Sequence, residues 1–560
     1  MADTKREIER KYEGPPAGGD APLPDLTDVP GVSGVIDKGV AELDATYYDT
    51  ADQRLATASL TLRRRTGGDD AGWHLKLPVS EGVRDEIRAP LSDTVPEDLT
   101  ALVRSRIREA ELVPVVRLLS ARDVRHLVDA SGTLLAEVSV DRVRAQRLSG
   151  GAGSAEWTEI EVELADDGDP AFLDKVEKKL RKAGLTRSAS ASKLARALDD
   201  TAPRKSAKSP KSPKSPKSPK PEKTGTAGKT GTAEKTGKER KADKAGAIEK
   251  AADASKATTA AAKPEPRDPA PHTAGDHVLA YVRAQRDAIV ELDPAVRRDV
   301  PDSVHRMRVA TRRLRSTFRS YGKVLDRTAT DPIGDELKWL AAELGVDRDQ
   351  EVLAEHLTAA LDDLPSDLVT GPVQARLHTW SGARRSGSRQ RLIAVLDGKR
   401  YLDLLTTLDT LVAGPPLLEA ASKKPEKVIA KAVRKDFKKV AGLVGEALEL
   451  PPGTERDLAM HNARKKAKRT RYAAEAATPA LGGPAADLVR SMKSLQTLLG
   501  DHQDSVMVRE ALRELATEAH GAGENAFTYG VLYGRAEQRA AAVEAALPGE
   551  WEAMEDKGDV

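Results

Sequence analysis

Residues 159–164 read Glu-Ile-Glu-Val-Glu-Leu, a strict alternation of carboxylates with apolar side chains. Successive side chains of a β-strand point to opposite faces, so Glu159, Glu161 and Glu163 share one face and the apolar residues pack behind it. Carboxylates crowded in this way repel one another unless a cation holds them. Hard oxygen ligands suit Mg²⁺ or Mn²⁺, and the pattern therefore predicts a metal site on a strand.

A second acidic strand lies near the start of the chain. Residues 7–11 read Glu-Ile-Glu-Arg-Lys, which puts Glu7, Glu9 and Lys11 on one face. Two strands that both direct carboxylates inward are a costly arrangement, because the charges repel each other unless something positive lies between them. The two acidic strands together favour an enclosed site that holds a cation.

Composition limits the classes of protein that the chain can belong to. It has 560 residues, which predicts more than one domain, and no cysteine, which excludes disulfides and thiolate metal sites. The net charge is only +2 although 32% of the residues are charged, so local runs matter more than the total. The start is charged and no stretch approaches about 20 apolar residues, so we expect a soluble cytoplasmic protein without a membrane partner.

Residues 1–198 form the first predicted domain, which is rich in β-strands. A helix is predicted at Pro170–Ala183. Runs of β-forming residues that alternate with charge predict strands at Ala45–Thr50, Ser59–Thr66, Gly72–Pro78, Val83–Pro90, Val115–Val128, Thr133–Val143 and Glu156–Leu164.

Residues 199–275 are low in complexity, and Lys208–Lys220 repeats Lys-Ser-Pro. No core can form from this composition, which predicts a disordered tether between two domains. Its basic charge fits a solvated linker, and it also fits a loose electrostatic contact with a polyanion. At the other end of the chain, residues 549–560 are expected to form a short tail.

Residues 276–548 carry helical patterns and an internal repeat. Each copy opens with a histidine and a run of basic residues, and each later reaches Leu-Gly followed by an aspartate. The first copy runs from His305 to Asp349 over 44 residues, and the second runs from His461 to Asp504 over 43 residues. The matched order and spacing predict an all-α domain of two helical units related by a pseudo-twofold axis.

Basic side chains also follow strand parity in the first domain. Arg63 and Arg65 point the same way, Lys76 lies on a neighbouring predicted strand, and Arg84 alternates with Glu86. Small barrels normally fill with apolar side chains, so a lumen lined by both signs of charge suits a ligand with many negative charges and its metal. A chain of phosphates fits, and the competing interpretation is a barrel whose charges lie on a solvated outer face.

These residues resemble the CYTH family of triphosphate tunnel metalloenzymes over most of residues 5–198. The motifs that carry the resemblance follow one another in order along the chain. They are Glu-x-Glu-x-Lys at Glu7, Glu9 and Lys11, Tyr-Tyr-Asp-Thr with Asp52 and Leu55, Leu-Arg-x-Arg at Arg63 and Arg65, Lys76, the Arg84 and Glu86 pair, Asp141, the Glu-x-Glu-x-Glu strand, and Ser192-Lys193.

The resemblance implies an eight-stranded antiparallel tunnel that acts on inorganic triphosphate or nucleoside triphosphates with Mg²⁺ or Mn²⁺. It also leaves open a tunnel that binds triphosphate without turnover. By resemblance, the catalytic residues are Glu7, Glu9, Glu159 and Glu161; the metal ligands are these four with Asp141 and Glu163; and the triphosphate ligands are Lys11, Arg63, Arg65, Lys76, Arg84, Arg117, Arg122 and Lys193. Arg117 and Arg122 lie on one predicted strand, where parity puts them on opposite faces unless a bulge intervenes.

In the second domain, His305, Arg308, Arg312 and Arg315 step by three or four and form one stripe on a helix. The second copy repeats the stripe with His461, Arg464 or Lys465, Lys468, and Arg471 or Tyr472. Two facing basic stripes would repel unless an anion lay between them. Each stripe also fits a solvated basic face, and metal ligation by the histidines is a further alternative that lacks neighbouring ligands.

This half resembles the CHAD family, the conserved-histidine α-helical domain, over roughly residues 276–540. The first copy departs from the second by having Arg348 where the second has Gln503. The resemblance implies two helical bundles around a basic cavity for inorganic polyphosphate, and association with polyphosphate granules. The residues it implies for polyphosphate are His305, Arg308, Arg312, Arg315, His461, Arg464, Lys465, Lys468 and Arg471.

Two hypotheses follow. The first is a metal-dependent phosphohydrolase that cleaves inorganic triphosphate or the end of a polyphosphate chain, with a helical domain that recruits polyphosphate. The second is a polyphosphate-binding scaffold whose tunnel does not turn over, and an adenylate cyclase ranks below both. Nucleic acid is not expected as a specific partner, because aromatics are only 3% of the chain. The sequence does not indicate an oligomeric state.

Overall fold

The computed structural model describes residues 3–13, 23–203, 271–385 and 388–555. Most of the predicted linker and the last five residues of the predicted tail lie outside these ranges. Within them, every helix is too short or too polar to traverse a lipid bilayer. The described residues form an N-terminal β-barrel and a C-terminal helical domain, as the sequence predicts.

The N-terminal domain is a closed antiparallel barrel of eight strands with a short ninth strand at one edge. The strands follow the order β5-β4-β3-β2-β6-β7-β8-β1, and β1 closes the barrel by pairing with both β8 and β5. The strands are β1 (Asp3–Glu13), β2 (Gly34–Asp49), β3 (Thr61–Thr66), β4 (Gly72–Ser80), β5 (Val83–Ala89), β6 (Val113–Val128), β7 (Leu134–Arg147), β8 (Ser154–Leu164) and β9 (Thr186–Arg187).

Helices cover the apolar outer faces of the barrel. The outward side chains of β8, among them Ile160 and Val162, pack with Phe172 and Val176 of a helix that matches the predicted one. A second helix covers β3 and β4 in the same way, with Val103 against Trp73 and its neighbours. The four helices of this domain are α1 (Arg54–Thr57), α2 (Glu97–Ile107), α3 (Ala171–Lys182) and α4 (Lys193–Asp200).

The inner face of the barrel is apolar at one end and charged over the remainder. Val143 and Ala145 lie on the same face of β7 as Asp141, and they join an apolar cluster that includes Leu194 and Leu198 of α4. Apolar side chains and α4 therefore fill one end of the barrel. The carboxylates and basic residues occupy the remainder, which forms a charged cavity.

The C-terminal domain is helical throughout its described residues. Two hydrophobic cores hold it together: the larger joins α5 to α7 with α10 to α13, the first half of α14 and the end of α15, and the smaller joins α8, α9, the second half of α14 and the start of α15. Its helices are α5 (Ala274–Arg297), α6 (Ser303–Ser320), α7 (Arg327–Glu343), α8 (Val346–Asp362), α9 (Val373–Arg385), α10 (Ser388–Asp397), α11 (Lys399–Ala413), α12 (Pro425–Glu449), α13 (Thr454–Leu481), α14 (Gly483–Gly521) and α15 (Phe527–Glu555).

Among the differences from the sequence predictions, three concern where an element begins, ends or breaks. Strand β2 begins at Gly34 rather than Ala45, through a stretch with a register shift between Asp37 and Gly39. Helix α15 continues to Glu555, into the predicted tail. The Leu-Gly pair of the first repeat separates α7 from α8, whereas the pair at Leu499 lies inside the continuous helix α14.

Candidate functional site

The tightest group of carboxylates in the barrel comes from two neighbouring strands. Asp141 of β7 lies opposite Glu159 of β8, and Glu161 follows one pleat further on the same inner face. All three are buried, and one oxygen of each lies within 4.8 Å of the others. A set of carboxylate oxygens without histidine or cysteine fits a hard cation such as Mg²⁺ or Mn²⁺. Three of the six predicted metal ligands therefore form one cluster.

Basic side chains neutralise this acidic group. The Nζ of Lys193 lies 3.0 Å from Asp141, 2.8 Å from Glu159 and 2.7 Å from Glu161. Burial lowers the pKa of Lys193, but the three carboxylates outweigh that effect and raise it above its ordinary value. Lys193 is the first residue of α4, and the hydroxyl of Ser192 caps that helix by accepting from the amide of Ala195. The Ser-Lys motif thus delivers a cation into the barrel.

A second charged group lies on β1, β3, β4 and β5. Lys76 contacts Glu7 at 2.5 Å and Glu86 at 3.5 Å, and the guanidinium of Arg63 lies 3.6 Å from Glu86. Burial raises the pKa of Glu7, although Lys76 opposes this rise. Burial also raises the pKa of Glu86, but His74, Lys76 and Arg63 together hold it far below its ordinary value.

The remaining acidic residues of the two sequence motifs each pair with a lysine. Lys11 contacts Glu161 and lies 3.2 Å from Glu9, and Lys5 lies 2.7 Å from Glu163. Burial alone would raise the pKa of Glu9, but the charges of Lys11, Lys76 and Arg84 together outweigh it and the pKa is lowered. Glu9 and Glu163, like Glu7, line the cavity outside the tight carboxylate group.

Most of the predicted phosphate ligands line one cavity of about 180 Å³. Burial and the nearby charges of Arg63 and Arg122 lower the pKa of Arg65 to about 9. Arg84 donates to the carbonyl of Ala191. Nine basic side chains and seven carboxylates line the cavity, so its charge favours an anion. The predicted ligands that line it are Lys11, Arg63, Arg65, Lys76, Arg84, Arg122 and Lys193.

The structure contradicts the prediction that Arg117 lies in the tunnel with the other triphosphate ligands. It lies on the outer face of the barrel, where it is 45% exposed and pairs with Asp44. Arg122 points inward and holds Asp141 instead. The two arginines are five residues apart on β6, and the pairing of β6 with β7 runs without a shift between them, so they face opposite sides.

Several tunnel residues were absent from the predicted set. Glu86 receives contacts from Lys76, Arg63 and the Nδ1 of His74, while the Nε2 of His74 contacts the carbonyl of Asp70. The alternation of Arg84, Glu86 and Arg88 was the available signal for Glu86. The further lining residues are Lys5, Tyr47, Thr61, Asp70, Glu86, Arg88, Glu137, Ser192 and Leu194.

The helical domain brings its two basic stripes together. Burial, followed by the charges of Arg464, Arg312 and Arg308, lowers the pKa of Lys468 to about 7, while Asp504 opposes the change. Arg308 and Arg312 belong to α6, and Arg464 and Lys468 belong to α13. Four cations from two helices therefore share one region, as the repeat predicts.

The glycine of each Leu-Gly pair makes room for an arginine. A Cβ at Gly345 would lie 2.7 Å from the guanidinium of Arg308, and a Cβ at Gly500 would lie 3.1 Å from that of Arg464. Both glycines thus stand against the equivalent arginine of their own repeat. The sequence shows the repeated Leu-Gly pairs but not this contact.

The other predicted residues of the stripes differ in their surroundings. His461 contacts Gln503, and burial with the nearby cation of Lys465 lowers its pKa. His305 and Lys465 are exposed. Arg471 lies 3.6 Å from Glu475 and covers the ring of Tyr472.

Several buried donors of the stripes have no hydrogen-bond partner among the described residues. They are the Nδ1 of His461 and the Nε atoms of Arg315, Arg464 and Arg471. Buried polar atoms of this kind are normally satisfied, so their grouping favours a ligand rich in acceptors. The side chains of Arg348 and Asp349 lie outside the described residues.

Comparison with known proteins agrees with this architecture. The CYTH domain family matches residues 5–198, and the CHAD domain family matches residues 280–513. CYTH enzymes act on triphosphates and generally depend on divalent metals, and CHAD domains are associated with polyphosphate. The chain belongs to the family of proteins that carry a CYTH domain followed by a CHAD domain.

The chain is similar in sequence to two relatives, and comparison with solved structures finds further matches. The chain is 35% identical over 545 residues to two uncharacterized proteins of Mycobacterium tuberculosis, covering 94% of this chain and 92% of each relative. PptA from Streptomyces chartreusis is 21% identical and covers 50% of this chain and 100% of its own, with a TM-score of 0.44. A putative adenylyl cyclase from Hippeastrum with a dominant triphosphatase activity is 20% identical and covers 35% of this chain and 98% of its own, with a TM-score of 0.21.

Proposed function

We propose that the protein is a metal-dependent phosphohydrolase that cleaves inorganic triphosphate, or the terminal phosphate of polyphosphate, in the N-terminal tunnel. The observation that carries this proposal is the joint presence, in one closed barrel, of the carboxylate group of Asp141, Glu159 and Glu161 and a cavity lined by nine basic side chains. A neutral or cationic substrate would not suit such a cavity.

The residues of the tunnel divide the work of binding and chemistry. Arg63, Arg65 and Arg122 offer guanidinium donors whose geometry matches phosphate oxygens, while Lys11 and Lys76 act as point charges. Mg²⁺ or Mn²⁺ held by the carboxylates would supply a polarised water for in-line attack on the terminal phosphorus. The basic side chains then stabilise the negative charge that spreads over the equatorial oxygens.

Substrate entry requires the carboxylates to exchange partners. Lys193 and Arg122 now hold the acidic group, so they must turn toward phosphate oxygens when a metal takes the carboxylates. Both side chains are long and flexible enough to reach either partner. The second candidate is a tunnel that binds triphosphate without turning it over, in which Arg122 and Lys193 keep their ion pairs with the carboxylates.

The helical domain is proposed to bind long-chain inorganic polyphosphate. Its support is the convergence of Arg308, Arg312, Arg464 and Lys468, where burial and the charges of the three arginines lower the pKa of Lys468. A polyanion placed between α6 and α13 would remove that repulsion. Binding of this kind releases counterions, so we expect the affinity to fall steeply as salt is raised. Association with polyphosphate granules would follow from the same contacts.

Phosphate release from three substrates tests the proposal. Tripolyphosphate, ATP and long-chain polyphosphate are supplied to the whole protein with Mg²⁺, with Mn²⁺ and with a chelator. The proposal predicts release from tripolyphosphate that the chelator abolishes. Pyrophosphate release from ATP would point to a cyclase, and tight polyphosphate binding without release from any substrate would identify a binding protein.

A further inference from the structure

The barrel and the helical domain meet through a surface that involves α2 and α5. Ser105 of α2 is fully buried, and its hydroxyl donates to the carbonyl of Val290 in α5 at 3.3 Å. Ser105 also lies beside Asp293, a carboxyl group with no exposed surface that accepts hydrogen bonds from Tyr401 and Arg297. A serine of one domain is thus enclosed by polar groups of the other.

Ion pairs surround this contact. Arg108, which follows α2, pairs at 3.0 Å with Asp409 of α11, and Asp409 also accepts from Arg286 of α5. A separate ion pair joins Asp85 of β5 to Arg298 at the end of α5, at a distance of 3.1 Å. Two further contacts across the boundary thus join opposite charges.

A second arginine of α2 strengthens this complementarity. Burial lowers the pKa of Arg106, and the carboxylates Glu291 and Asp287 of α5 oppose that change. The arginines of the barrel domain therefore face carboxylates of the helical domain. At Asp85 the signs are exchanged, because a carboxylate of the barrel faces Arg298 of the helical domain. Complementary charge across a boundary fixes register and suppresses wrong arrangements.

We propose that this surface is an intramolecular docking interface, which holds the tunnel and the helical domain in one fixed arrangement. The segment of 204–270 then connects the two domains without setting the distance between them. The inference does not depend on what either domain binds, and it replaces the tethered arrangement that the sequence alone suggests.

Docking would give the helical domain a contact close to the tunnel. Asp85 faces outward on β5, between Arg84 and Glu86, which line the cavity. Its carboxylate also binds Arg6 of β1, the strand that carries Glu7 and Glu9. Arg298 of the helical domain therefore contacts β5 directly and is linked to β1 through the carboxylate of Asp85.

Distance measurements between two spin labels test the docking. The chain has no cysteine, so the substitutions Arg144→Cys and Glu419→Cys create the only two labelling sites. Both side chains are exposed, at 75% and 87%, and they lie in different domains. Docking predicts one narrow distance distribution. A flexible chain of 67 residues would instead spread its ends over roughly 45 Å, which would broaden the distribution and overturn the proposal.

Charge reversal supplies the second arm of the test. Arg108→Glu and Asp409→Arg should each broaden the distribution, and the double reversal should narrow it again. Arg181→Glu, at an exposed helical arginine of the barrel, is the matched control and should leave it narrow. A control pair of labels within the N-terminal domain, Arg144→Cys with Lys178→Cys, should give the same distance in every variant. This control separates undocking of the two domains from unfolding of the barrel. If the charge-reversal variants give the same narrow distance distribution as Arg181→Glu, the proposed interface is contradicted.

Discussion

The guanidinium of Arg122 holds the carboxylate of Asp141 through two parallel hydrogen bonds, of 2.8 Å from Nε and 2.7 Å from Nη2. Asp141 has no exposed surface, so this pair lies inside the barrel and not on its rim. The bond joins β6 to β7 directly beside the carboxylate group. Arg122 therefore stabilises the barrel, in addition to its proposed role in binding phosphate.

Arg122→Ala should lower the free energy of unfolding by about 3–5 kcal/mol, because it leaves a buried carboxylate without its bidentate partner. Urea unfolding followed by circular dichroism measures this loss. The matched control is Arg117→Ala on the same strand, whose exposed pair with Asp44 should cost at most about 1 kcal/mol. Equal losses for both would mean that Arg122 and Asp141 are not held as described.

The same two variants distinguish the inner face of β6 from its outer face in a binding assay. Arg122→Ala should weaken tripolyphosphate binding, and Arg117→Ala should leave it unchanged, because only Arg122 lines the cavity. Isothermal calorimetry with tripolyphosphate provides the readout. A loss of affinity in Arg117→Ala would return that residue to the site.

The tunnel could be predicted closely because strand parity decides which side chains point inward. The alternation in residues 159–164 and 7–11 identified the carboxylate faces, and the choice of Arg63 and Arg65 over Arg64 agrees with their place in the cavity. Arg117 shows the limit of the approach. The resemblance placed it with the phosphate ligands, whereas the unshifted pairing of β6 with β7 turns it outward.

Replacing Arg308, Arg312, Arg464 and Lys468 together by Ala should weaken long-chain polyphosphate binding at least tenfold. The reason is the loss of four cations from one site, each of which would release counterions. Cleavage of tripolyphosphate should be unaffected. The control replaces four exposed basic residues of the same domain, namely Arg327, Lys399, Arg400 and Arg490. Equal loss in both variants would mean that net charge alone attracts the polymer.

Gly345→Ala and Gly500→Ala should each reduce polyphosphate affinity several-fold with little loss of stability. The new Cβ would displace the flexible end of Arg308 or Arg464, and neither contact is with backbone. Gly442→Ala is the control, because a Cβ there meets nothing within 4 Å. Filter binding with labelled polyphosphate measures the affinity. If all three variants bind alike, the glycines have no part in positioning the arginines.

Polyphosphate binding should weaken as pH rises from 6 to 8. Lys468 has a pKa of about 7 in the free protein, and an anion beside it favours the protonated form, so binding above pH 7 requires uptake of a proton. The affinity should fall by up to about tenfold for each pH unit above 7. Lys468→Met should remove this dependence. A wild-type affinity that does not change with pH would show that Lys468 does not contact the polymer.

The helical domain was harder to predict than the barrel. The repeat revealed both basic stripes, yet spacing along one helix says nothing about which helix lies opposite. The approach of Arg308 and Arg464 to their glycines depends on how α6 packs beside α7 and α13 beside α14. Likewise, the Leu-Gly pair at Leu499 resembles a turn in sequence, but packing on both sides keeps α14 continuous there.

The rate of phosphate release from tripolyphosphate in Glu161→Gln, compared with the wild type, tests the central claim most directly. Glu161 belongs to the carboxylate group and also contacts Lys11, Lys193 and Arg122. Glu156→Gln, at an exposed residue of the same strand, is the matched control, and circular dichroism verifies the fold of both variants. We predict that Glu161→Gln abolishes metal-dependent release and that Glu156→Gln retains it. Undiminished release in a folded Glu161→Gln protein would contradict the assignment of the tunnel as the metal-dependent site.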